Sequence, residues 1–171
     1  MTFVAALMLA AASVPVMAAK PGWSDKFEES KKAAAENKKH VLLFFTGSDW
    51  CIWCKHYDKE VFSKKPFQDL AAAQLVLVEI DAPQSIVLPD ELEKQNVNVK
   101  ADFKVEGVPT IILLNPEGKE IKRWNGYNAK LVEEIQTAIT GKKAGSGSWF
   151  GGAFSGKKDE APKDSKPATQ K

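Results

Sequence analysis

FFTGSDWCIWCKHYDKEVF, residues 44–62, carries both cysteines of the chain, Cys51 and Cys54, each preceded by a tryptophan. It emerges from an apolar run, HVLLFFTG (40–47), which is short, ends in glycine, and suits a strand buried on both faces. Beyond the cysteines, Ile52 or Trp53, Tyr57 and Val61 recur at near-helical spacing, which predicts a helix beginning at or just before Cys51. The cysteine pair therefore stands at a strand-to-helix junction, where a chain is typically accessible.

Working outward, WSDKFEESKKAAAENKK (23–39) reads as a first amphipathic helix capped by Ser24, with an apolar edge at Trp23, Phe27 and Ala34. After Pro66, PFQDLAAA is a short helical piece leading into LVLVEIDA (75–82), a second buried strand, parallel to the first because a helical crossover joins them. LPDELEKQNVNVKADF (88–103) reads as a helix with Pro89 in its first turn and Leu92, Asn96, Val99 and Phe103 along one side. GVPTIILLNPEGKEIKRWNGY predicts a β-hairpin turning at Pro-Glu-Gly. NAKLVEEIQTAIT (128–140) predicts a closing helix with Leu131, Ile135 and Ile139 on one face, ended by Gly141. The order α-β-α-β-α-β-β-α is an α/β domain: a central mixed sheet of parallel strands plus a C-terminal hairpin, flanked by helices.

The ends differ in kind. Residues 1–18 carry no charge and run apolar from Phe3 to Val14, with Pro15 and then small Ala18 two positions after Val16. That pattern predicts a signal peptide cleaved after Ala18, although MT lacks the usual basic residue; a retained membrane anchor is the alternative. Residues 141–171 are rich in Gly, Ser, Lys and Pro and are expected to be a disordered tail. Seven Lys against three acidic residues give the tail +4, so with +2 overall the central domain, 19–140, carries −2. The basic balance is a property of the tail, and no nucleic-acid footprint is expected in the domain. The tail aromatics Trp149, Phe150 and Phe154 are assigned no specific role.

The cysteine pair admits several chemistries. Structural zinc wants four ligands, and His40 and His56 are the only histidines to add to Cys51 and Cys54, with His40 at the far end of a strand. That inventory is too thin, and no metal is expected, although ligand softness alone allows a two-thiolate Cu(I) site. A structural disulfide agrees with export, yet closing so small a loop constrains the unfolded chain very little. Two inert buried thiols are a third option. Redox exchange explains more: unpaired N–H groups at a helix N-terminus favour a Cys51 thiolate as the attacking sulfur, and Cys54, one turn on, can resolve the mixed disulfide. Lys55 and His56 add positive charge nearby.

With FFTGSDWCIWCKHYDKEVF and VEGVPTIILLNPEGKEI both in view, the chain resembles the thioredoxin superfamily over most of residues 24–140. LPDELEKQN and FKVEGVPT make it similar to the exported thioredoxin-like disulfide reductases of the Dsb class. The resemblance implies a thioredoxin-like fold and a cis Pro109 beside Cys51, with Val108 offering backbone groups to a substrate strand. It also implies a redox-active disulfide in place of a cofactor. Two positions depart from the family pattern. Phe45 stands six residues before Cys51, where thioredoxins carry a buried acid, and Ile52-Trp53 replaces Gly-Pro. Glu79 on the second strand is then a candidate for proton transfer, with a solvent-facing strand residue as the plain alternative. Trp50, Ile52, Trp53 and Val108 are expected to contact substrate.

The expected function is that of an exported, periplasmic thiol:disulfide oxidoreductase, monomeric, mainly reducing disulfides of proteins or peptides and re-reduced by a membrane-bound thiol donor. The rivals are a disulfide oxidase or isomerase, and a non-enzymatic Cu(I)-binding or interaction module.

Overall fold

The computed structural model describes residues 20–141. The expected leader and most of the expected tail lie outside the described residues. Five strands form one sheet in the order β1-β3-β2-β4-β5. They are β1 (Trp23–Ser24), β2 (His40–Thr46), β3 (Leu75–Asp81), β4 (Thr110–Leu114) and β5 (Glu120–Asn125). The helices are α1 (Phe27–Asn37), α2 (Ile52–Tyr57), α3 (Lys65–Gln74), α4 (Asp90–Asp102) and α5 (Leu131–Thr140). β2 pairs parallel with β3 and antiparallel with β4, and β4 pairs antiparallel with β5. This is the mixed sheet expected from the sequence.

The central position of β2 explains its continuous apolar run. Leu42 and Phe44 point into one core with Tyr57, Phe62, Phe67, Leu131 and Ile135, beneath α2, α3 and α5. Val41, Leu43 and Phe45 point the other way, against Phe27, Ala34 and Val99 of α1 and α4. Each such side chain contributes about 1.5–3 kcal/mol on burial, so both faces hold β2 in register. α2 continues as a π-helical turn, Asp58–Phe62, closed by the Ser63 N–H on the Asp58 carbonyl at 3.0 Å. The wider turn lets Tyr57, Val61 and Phe62 all face inward, and the rings of Trp23, Phe44, Tyr57, Phe62 and Phe67 pack at centroid distances of 4.7–6.3 Å.

The first element differs from the sequence reading. Trp23 and Ser24 form a short edge strand parallel to β3, and the helix starts only at Phe27, with Lys26 at its N-cap. Trp23 is drawn out of the helix because its ring inserts among Phe44, Phe62 and Phe67. Ser24 is not the cap; its Oγ accepts the Lys26 N–H at 3.1 Å. Pro89 is likewise the N-cap of α4 rather than part of its first turn, and α5 starts at Leu131 because Asn128 forms a turn ahead of it.

Candidate functional site

At the end of β2 the Thr46 carbonyl accepts the Ala82 N–H at 3.0 Å, so the loops leaving β2 and β3 start side by side. Residues 47–50 then turn across the sheet end and are pinned to the second loop. Ser48 donates its N–H and its hydroxyl to the Asp81 carboxylate at 2.9 and 2.6 Å. Asp49 Oδ2 accepts the N–H of Gln84 at 3.0 Å and of Ser85 at 2.5 Å. Trp50 Nε1 donates to the Ala82 carbonyl at 2.9 Å. The bonds to Asp49, that from Ser85 foremost, hold its carboxyl below the usual carboxylate range. Gly47 makes room for the Trp50 indole, since a Cβ would lie 2.3–2.7 Å from that ring where it now stands.

Cys51 is the N-cap of α2, in extended conformation, and its Sγ accepts the Cys54 N–H at 3.1 Å. The two form a disulfide with Cα atoms 5.2 Å apart. The accessible junction expected from the sequence is largely closed: Cys51 is 5% exposed and Cys54 1%, because the pair packs into the same core as Phe44 and Tyr57. What is exposed surrounds them. Trp50, Ile52 and Trp53 are 46%, 62% and 55% exposed. Trp53 lies beside His56 and Tyr127, at centroid distances of 5.3 and 5.9 Å.

The peptide between Val108 and Pro109 is cis. Thr110 Oγ1 donates to the Gly107 carbonyl at 2.8 Å, and the Pro109 carbonyl accepts the Gly126 N–H at 2.8 Å, which fixes the turn on both sides. Val108 is half-buried and packs against the core that contains the two cysteines. Tyr57 ties α2 to the segment after β5: its hydroxyl donates to the Gly126 carbonyl at 3.0 Å and accepts the Asn128 N–H at 2.8 Å. Burial pushes the Tyr57 pKa up to about 12.

Counting back six residues from Cys51 leads to the wrong residue for the position beneath the disulfide. Phe45 points to the α1 and α4 side, whereas Phe44 shares the core of the cysteines. Side-chain parity on β2, not the count, decides which residue underlies the pair. Glu79 is the register partner of Phe44 on β3 and therefore lies on the cysteines' face. Burial raises its carboxyl pKa, and Lys20 opposes the shift through an ion pair at 3.2 Å. Lys20 also pairs with Asp58 and lies over the rings of Trp23, Phe44 and Phe62.

Sequence reading missed Ser48, Asp49, Asp81 and Thr110. Gly-Ser-Asp after a strand does signal side chains that bind backbone locally. Their partners, 33–36 residues away in the case of Ser48 and Asp49, leave no local signal.

Comparisons with known proteins agree with this geometry. Residues 27–138 match a family described as a thioredoxin-like domain. Disulfide bond reductase DsbH of Chlamydia pneumoniae is 33% identical over 128 residues, 73% of this chain and 76% of the relative. Thiol:disulfide interchange protein DsbD of Actinobacillus pleuropneumoniae is 31% identical over 93 residues, 54% of this chain but only 14% of that much longer protein. A solved structure of DsbH oxidoreductase superposes with a TM-score of 0.63 at 30% identity, covering 78% of this chain and 94% of that one.

Proposed function

We propose, from the premise that the chain belongs to the thioredoxin-like family and is a thiol:disulfide oxidoreductase of the Dsb type, that it is exported and works mainly as a reductase of protein and peptide disulfides. The observation that carries the reading is the Cys51–Cys54 disulfide at the N-cap of α2, with the Cys54 N–H aimed at Cys51 Sγ. In the reduced protein that N–H favours a Cys51 thiolate, since a hydrogen bond to the charged form lowers a pKa.

The Cys51 thiolate attacks one sulfur of a substrate disulfide; the new S–S bond forms as the old one breaks, and the other substrate sulfur leaves as a thiolate. Cys54 loses its proton and attacks Cys51 Sγ, which expels the second substrate sulfur. Two electrons have passed to the substrate, and Cys51–Cys54 is oxidised. Val108 and the Pro109 turn offer the backbone edge that aligns the substrate strand, while Trp50, Ile52 and Trp53 supply apolar contact around the sulfurs. Glu79, on the cysteines' face with a raised pKa, is suited to accept the Cys54 proton.

The reducing direction is supported by the name of the DsbH relative, a disulfide bond reductase. Each turnover leaves the pair oxidised, so an exported reductase needs a thiol donor that brings electrons across the membrane. The working unit is residues 19–140, preceded by a leader and followed by a tail, and it acts as a monomer in the periplasm. Cys51→Ser is expected to abolish insulin reduction, and Cys54→Ser to accumulate covalent protein adducts. Full activity in the Cys51 variant would contradict the scheme.

A further inference from the structure

The loop after β3 combines exposed apolar side chains with a polar anchor at the turn that leads to Cys51. It leaves apolar side chains in water, with Val87 90% and Ile86 37% exposed. It borders a cavity of about 330 Å3 that Val97 of α4 and Val108 also line. It is anchored to the residue two before Cys51, where Asp49 Oδ2 takes the Gln84 and Ser85 N–H groups at 3.0 and 2.5 Å. Water competes for hydrogen bonds this exposed, so they contribute little to stability. Their geometric effect is larger: they set where Ile86 and Val87 stand relative to the cysteines.

We propose that Asp49 is a positioning residue for substrate choice: it holds the 83–88 loop so that Ile86, Val87 and Val108 receive an apolar side chain of a polypeptide disulfide substrate. The inference rests on the exchange reading above and adds the substrate's chemistry to it. Strand alternation identifies the side chain. A substrate strand laid along Val108 points its cysteine to the disulfide's face of the sheet, so the residue next to that cysteine points to the opposite face. On that face Phe45, Ile80 and Val97 line the cavity, whose size is at the low end of ligand pockets and leaves room for a large apolar side chain.

The test uses two disulfide peptides that differ only in having Leu or Ser next to the cysteine, together with a small aromatic disulfide as a redox control. The reading is the ratio of kcat/KM for the Leu peptide to that for the Ser peptide, which does not depend on the fraction of protein folded. The wild type is expected to favour Leu about tenfold, the scale of one apolar contact. Asp49→Ala and Val87→Asp should each bring the ratio close to one, whereas Asp49→Asn, which keeps an acceptor oxygen, should retain most of it. Equal rates on the two peptides in the wild type, or an undiminished ratio in Asp49→Ala, overturns the inference and leaves the exchange reading standing. A protein that reduces neither peptide nor the small disulfide overturns the exchange reading, and the inference with it.

Discussion

Gly47 and Tyr57 show how single residues hold the cysteine pair in place. A Cβ at position 47 would collide with the Trp50 indole, so Gly47→Ala must turn that ring away and break its bond to the Ala82 carbonyl. A loss of about 1 kcal/mol is expected in urea unfolding. In a Trp50→Phe background the same substitution should cost less, because there is no longer an indole N–H to displace. Tyr57→Phe removes the hydroxyl that bridges Gly126 and Asn128, again at about 1 kcal/mol. Its pH dependence is distinctive. Burial raises the folded-state pKa above the unfolded one, so the neutral phenol stabilises the folded chain below about pH 10. That contribution is lost as pH rises through about 12. Wild-type stability should fall across this window, and Tyr57→Phe should remove that part of the fall.

At the scale of elements, α1 lacks a cap from its own N-cap residue: Lys26 stands there in extended conformation with no side-chain bond to the helix, and the Phe27 N–H is taken instead by Gln95 Oε1 at 3.0 Å. Lys26→Ser is expected to stabilise the protein by about 0.5–1 kcal/mol, read from the urea midpoint, because only an exposed pair with Glu29 is given up. The sequence showed a helix here but set its cap at Ser24 and counted Trp23 in its apolar edge, since apolar spacing cannot distinguish a ring facing the core from a helix from one facing it from an edge strand. For β2 and β3 the local pattern sufficed, because residues 41–45 and 75–78 form short continuous apolar runs. The cysteine motif marked the start of α2 to within one residue for a similar reason: the N-cap role and the chemistry of Cys51 fall on the same position.

For the molecule as a whole, the α/β order and the mixed sheet were legible because hydrophobic periodicity and turn residues are local signals. The walls of the site were not. The Asp49 and Asp81 tethers, the partner of Glu79, and the choice between Phe44 and Phe45 all depend on contacts distant in sequence or on strand parity across a loop. The domain assignment carries a prediction at this scale: residues 19–140 alone should unfold in one cooperative transition at the same urea midpoint as the full chain. A lower midpoint would assign a structural part to the flanking segments.

The central claim is that Cys51 and Cys54 form a reversible couple poised to reduce. Equilibrating the protein in glutathione buffers and reading the oxidised fraction of the pair tests it most directly. The account predicts one two-electron transition with a potential near that of thioredoxin, about −270 mV. A pair that fails to titrate reversibly, or one poised at or above the protein disulfide isomerase value of about −180 mV, would contradict it.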